Sequence, residues 1–180
     1  DCDAILKEDG VLALAIPDKR YCFDHFRPIT GLSQIIDSHI QKHKIHSPGT
    51  VAEYFLFVFR KAGAIAWDVN ATGEYGFVHT LGEALQSMNS VVDKNEYFDV
   101  HAWCFIPSSF RLIIHDLYCL GMIPFKELSF YPTSGCEFYI TLGRSVQGVP
   151  YSRMQMLTEV ESELMGDPSI ARSVSKNDCE

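Results

Sequence analysis

One run of six residues constrains the fold more than any other feature. Val11-Leu12-Ala13-Leu14-Ala15-Ile16 is continuously apolar, opens after Gly10 and closes at Pro17. A run this short, bounded by two breakers, has the length of a strand rather than a helix. Apolar side chains on both of its faces predict the centre of a parallel sheet covered by helices. Upstream, Asp1-Cys2-Asp3-Ala4-Ile5-Leu6-Lys7 reads as the last turns of a helix already in progress, stopped by Gly10. That beginning predicts further chain before Asp1. Helix, glycine turn, buried strand and polar loop make half of a βαβ unit, so the expected fold class is α/β.

Four helices are predicted in the middle of the chain, over residues 30–44, 50–62, 80–94 and 110–120. The first carries Leu32, Ile35, Ile36 and Ile40 on one face. The third opens on Thr80 with Glu83 three positions on, the pattern of a capping box. The fourth opens on Pro107-Ser108-Ser109 and stops at Gly121. Residues 63–78 read as a loop and residues 95–105 as a short extended or irregular stretch. Residues 125–131 and 137–142 read as strands of an antiparallel hairpin around Pro132-Thr133-Ser134-Gly135. A last helix is expected over residues 151–165, and a disordered polar tail beyond Gly166.

The chain has 180 residues, 47% of them hydrophobic, enough for a packed core, and a net charge of −8. An acidic balance argues against a nucleic-acid partner, whose phosphates need clustered Lys and Arg, although it leaves room for a local basic pocket. No apolar run is long enough for a membrane span and no signal peptide opens the chain. Cys2, Cys22, Cys104, Cys119, Cys136 and Cys179 are scattered without a CxxC pair. They read as free thiols of a cytoplasmic protein.

The densest charge cluster in an aromatic setting follows the apolar run: Asp18, Arg20, Asp24 and Arg27. Loops past the carboxyl end of a strand are where open α/β sheets bind ligands. Arg20 and Arg27 would clamp a carboxylate or phosphate, and Asp18 or Asp24 would orient or deprotonate a nucleophile. The same four residues also suit a closed network that pins the loop. The first reading expects Arg27→Ala to damage substrate affinity more than folding; the second expects the reverse.

Asp99 and His101 would share one side of an extended segment, with Trp103 as an aromatic wall and His101 as a general base or a buried, hydrogen-bonded histidine. His39 and His43 stand four apart on a helix face, a spacing that can bind a metal, but no glutamate stands at position 40. No metal is expected, and His39 would help to line a substrate site or sit on the surface.

Three stretches carry a family resemblance. LKEDGVLALAIPDKRYCFDHFRP, residues 6–28, resembles the fifth-strand region of class I S-adenosylmethionine (SAM)-dependent methyltransferases, with Val11 in place of a second glycine. PSSFRLIIHDLYCLGM, residues 107–122, resembles the helix before their sixth strand. FKELSFYPTSGCEFYITLGR, residues 125–144, resembles their sixth and seventh strands, the latter inserted antiparallel. The Pro-Asp-Lys-Arg-Tyr-x-Phe-Asp run is similar to the methyltransferase type 11-like group.

The resemblance implies a partial Rossmann-like methyltransferase sheet, made of a fifth strand plus an antiparallel sixth and seventh strand hairpin. Residues 1–28 and 100–148 would form it, residues 29–99 would be a mostly helical insertion or cap, and residues 149–180 a helix and tail. It implies SAM as cofactor, bound through a Gly-rich loop after a first strand. Gly73-Glu74-Tyr75-Gly76 lacks the strand and helix such a loop needs, so cofactor-binding residues stay unassigned.

The function so implied is the acceptor side of a methyltransferase acting on a small-molecule or sugar-like acceptor, inactive by itself. His101 and Asp24 would be its catalytic residues, and Asp18, Arg20, Arg27, His39 and Trp103 would bind substrate. The alternative is a non-catalytic binding or assembly module that forms a homodimer through the exposed edge of the apolar strand.

Overall fold

The computed structural model describes residues 2–166. The start at Asp1, Cys179 and the tail expected to be disordered lie outside the described residues. The fold is mixed α/β, with small antiparallel sheets and six α-helices among the described residues. None of these helices is long and apolar enough to cross a membrane.

The chain divides into two compact units. The first holds helix α1 (Cys2–Ile5), α5 (Pro107–Cys119) and α6 (Arg153–Met165). Helix α5 packs on α6. Ile113, Leu117, Phe125, Ile140, Leu142 and Met156 are buried in this unit. A second bond between elements is ionic: Arg111 on α5 donates to both oxygens of the buried Glu127, at 2.8 and 3.0 Å.

The second unit holds α2 (Leu32–Gln41), α3 (Pro48–Phe57), a hairpin of β2 (Phe59–Lys61) and β3 (Tyr75–Phe77), and α4 (Leu81–Lys94). Helices α3 and α4 pack together around Val51, Val91 and Val100, with Ile45, Tyr54, Phe55 and Phe98 against them. The capping box of α4 is present: Glu83 N–H donates to Thr80 Oγ1 at 3.2 Å, and Thr80 N–H donates to Glu83 at 2.7 Å.

A three-stranded sheet joins β1 (Val11–Pro17), β5 (Glu137–Gly143) and β4 (Lys126–Ser134) in the order β1-β5-β4. The last strand in the chain therefore lies between the other two. The boundary between the units falls inside each strand.

Several expectations need correction. Strand β1 is not buried on both faces: Leu12, Leu14 and Ile16 are half-buried, while Val11, Ala13 and Ala15 are exposed. It stands at one end of the sheet order, and the parallel sheet expected around it is replaced by small antiparallel ones. Apolar composition on both faces does not reveal whether anything covers the second. Pro132 belongs to β4 rather than to a linker, and the turn is Gly135-Cys136, with Gly135 at φ +66°. Proline is tolerated there because β4 ends the sheet order, where an N–H is not required on the outer side.

The helix predicted over 50–62 ends at Phe57, its last residues form β2, and β3 lies in the predicted loop that follows, with Phe59 opposite Phe77 and Lys61 opposite Tyr75. Three-residue strands are too short to show alternation against a glycine-rich background. Helix α2 stops at Gln41 because Lys42 takes a left-handed conformation, φ +52°.

The hairpin rests on a close backbone approach. Gly73 sits at φ +125°, and a Cβ added there would lie 2.7 Å from the Ala62 Cβ. Gly63 also has a positive φ, +83°, but open space around it. Gly73→Ala is expected to cost about 1–3 kcal/mol in urea unfolding, and Gly63→Ala distinctly less. Equal losses would show that φ, and not the Ala62 contact, sets the cost.

Candidate functional site

The site grows from the loop after β1. Asp18 is fully buried and accepts from Arg20 Nε at 2.9 Å, Arg20 Nη2 at 2.5 Å and Thr133 Oγ1 at 2.6 Å. Its own N–H donates to the Cys136 carbonyl at 2.8 Å. Asp18 is thus an anchor at the start of the loop, and Arg20 is its bidentate partner. Further along, the hairpin holds the loop by its backbone: Phe23 N–H donates to Ile65 O at 2.8 Å, and Trp67 N–H donates to Tyr21 O at 2.8 Å.

Arg27 closes the loop. Its side chain is 1% exposed, and one guanidinium nitrogen, Nη1, donates both to Asp24 Oδ1 at 2.9 Å and to the His101 carbonyl at 2.6 Å. Nε and Nη2 donate to Glu53 Oε1 at 3.3 and 3.2 Å. Tyr54 lies 5.8 Å from the guanidinium. Such a group cannot also clamp a ligand from solvent; its role is to position others. Glu53 was not singled out from the sequence. The available signal was its standing as the only charge within the apolar stretch 51–59.

Asp24, 2% exposed, uses its second oxygen for His101: Nδ1 stands 2.8 Å from Oδ2. A carboxylate facing a guanidinium is an acceptor, so Nδ1 donates to Asp24 and Nε2 is the ring nitrogen left for a ligand. The ring of Phe23 lies 4.6 Å from the imidazole by centroids, tilted against it. The imidazole is held by Asp24, its own carbonyl is held by Arg27, and its side chain remains 45% exposed. That combination of restraint and access is what a general base requires.

His101 and Asp24 line a cavity of about 370 Å³, together with Pro17, Lys19, Trp103 and Phe105. Trp103 is 46% exposed and offers an indole face to a ligand. Lys19 is half-buried; burial holds its ammonium below the ordinary lysine range, and it donates to the His25 carbonyl at 2.6 Å. Cys104, also in the lining, and Cys22 are buried, their thiols pushed up to about 12 by that burial, which leaves them protonated and unreactive at neutral pH.

The structure therefore brings together Asp24, Arg27, His101 and Trp103, and sets Asp18 and Arg20 at the loop's root. Asp99 is exposed, with Tyr97 Oη at 3.5 Å, and does not join His101. His39 is exposed on α2 and lines no cavity described here. His43 and His46 line a separate cavity, and among the described residues no group of three or more His, Cys, Asp or Glu stands where it could hold a metal ion.

The glycines do not build a cradle for SAM. Gly73 presses on Ala62, and Gly76 faces open space on the exposed strand β3. Comparison with known proteins adds no relationship: no family model, no curated protein and no solved structure matches this chain.

Proposed function

We propose that this chain supplies the acceptor side of a SAM-dependent methyltransferase, and that His101 removes the proton from an acceptor hydroxyl. The observation that carries the reading is the Asp24–His101 pair, 2.8 Å apart, on the wall of a cavity large enough for a small molecule. The resemblance implies a seventh strand inserted antiparallel, and β5 lies between β1 and β4 in the sheet order.

SAM, bound elsewhere, would supply the methyl group and leave as a neutral thioether. The residues of this chain supply the remainder. Trp103 and Phe105 border the acceptor. Nε2 of His101 accepts the hydroxyl proton as the oxygen becomes a nucleophile, and Asp24 stabilises the imidazolium that forms. Arg27 keeps both groups in register through Nη1. The described residues do not fit SAM, so the donor is bound by other residues.

The test is transfer of labelled methyl from SAM to small hydroxyl-bearing acceptors, using protein made from its complete reading frame. Label in the acceptor is the expected result, while calorimetry with residues 1–180 alone is expected to show no SAM binding. A complete protein that neither binds SAM nor transfers label removes the reading. In that event the exposed strand β1, with Val11 50% exposed at one end of the sheet order, favours assembly through that strand. Light scattering would then show a dimer.

A further inference from the structure

A second cavity, of about 350 Å³, adjoins the first: both are lined by Ala102 and Trp103. We propose that this second cavity binds a phosphate or diphosphate group carried by the acceptor, so that the acceptor is a phosphorylated, sugar-like alcohol. The inference rests on the hydroxyl-acceptor reading and adds the other end of the molecule.

The chemistry of the walls points to an anion. The stretch Lys42-His43-Lys44-Ile45-His46 is the most basic in a chain whose net charge is −8. Three of its residues, His43, Lys44 and His46, line the cavity together with Ser38, Ser47 and Thr50. Asp37 is the single carboxylate in that lining. One lysine, two histidines and three hydroxyl-bearing residues on the walls suit a group with several acceptor oxygens, which is the description of a phosphate, although His43 Nε2 stands 2.6 Å from Gln41 Oε1 and the Ser47 and Thr50 hydroxyls are 2.9 Å apart. Lys44 and His43 are exposed, so the cation is not consumed in the core.

The two cavities divide the work. His101 stands in one and Lys44 in the other, with the half-exposed Trp103 indole as the wall they share. A ring stacked on that indole would present a hydroxyl to His101 on one side and a phosphate to Lys44 on the other. Each cavity falls near the lower end of the roughly 300–1,000 Å³ that small-molecule sites occupy, and the pair remains within it.

The experiment is a titration of the 180-residue chain, followed by ¹H–¹⁵N spectra, with three probes: methyl glucoside, glucose 1-phosphate and inorganic pyrophosphate. Glucose 1-phosphate is expected to shift both the amides of residues 43–50 and the His101 side chain. Pyrophosphate is expected to shift the first set alone, and methyl glucoside His101 alone. Lys44→Ala is expected to weaken glucose 1-phosphate by about tenfold or more, leave methyl glucoside unchanged, and be rescued by Lys44→Arg. Equal affinity of glucose 1-phosphate for wild type and Lys44→Ala, or no shift at residues 43–50 with any probe, overturns the proposal. Shifts at residues 43–50 with none at His101 from either sugar would overturn the hydroxyl-acceptor reading instead, and leave the anion cavity standing.

Discussion

Arg27→Ala is expected to lower the melting temperature by about 6–20 °C, corresponding to roughly 3–5 kcal/mol for a chain of this size. The reason is not the worth of one ion pair. Removing the guanidinium leaves Asp24, 2% exposed, without its cationic partner, and strips Glu53 and the His101 carbonyl of their donors at once. A buried carboxylate deprived of its partner costs far more than an exposed one, because water cannot replace the lost contact. Arg27→Lys is expected to recover only part of the loss, since one ammonium cannot reproduce Nη1 between Asp24 and His101 while also reaching Glu53. Thermal unfolding followed by circular dichroism measures both variants. A melting temperature within a degree or two of wild type would show that Arg27 is spare in the fold and available for a ligand after all.

His101→Ala is expected to act on rate rather than stability. The imidazole is 45% exposed, so its removal strands little in the core, although Asp24 loses one of its two partners. Under the proposed methyl transfer, loss of a general base is expected to lower kcat by about 10²–10⁴-fold, with a far smaller change in KM. Asp24→Asn separates positioning from proton transfer, because an amide can offer Nδ1 an acceptor but cannot stabilise the imidazolium. It is expected to lower kcat, by less than His101→Ala does, with KM little changed. A His101→Ala protein with unaltered kcat would remove His101 from the chemistry.

These two residues also show how far sequence reasoning reached. The loop after β1 was legible because charged and aromatic residues alternate directly beyond an apolar strand. What five charges in ten positions do not reveal is which of them face a ligand. Arg27 and Asp18 turn inward, and beyond their local partners Asp24 and Arg20 the others lie far along the chain: Glu53 and the His101 carbonyl for Arg27, Thr133 for Asp18. Sequence spacing carries no information about such pairs. His101 was visible as a titratable group beside Trp103, yet its orienting carboxylate is Asp24, 77 positions away, and not the neighbouring Asp99.

Secondary structure divides in the same way. Helix α4 was readable to its first turn because Thr80 and Glu83 satisfy each other's backbone within four residues, a contact that needs no tertiary help. Helix α5 was readable because Pro107 opens it and Gly121, at φ +70°, follows its end. The β2-β3 hairpin was not, because its strands are three residues long and are held in place by backbone bonds to the loop of Phe23.

The sequence by itself determined that β1 would be a strand, where its loop would begin, and which residue types would meet there. Those outcomes follow from local breakers, local caps and the run of apolar side chains. Only the tertiary structure decided that β1 has one exposed face and stands at the end of a sheet whose last strand lies in the middle. It also made Arg27 a buried clamp and turned His101 outward with its proton held by Asp24. Pairings of that kind depend on desolvation and on distances between residues remote in the chain, and neither quantity is written in the order of the amino acids.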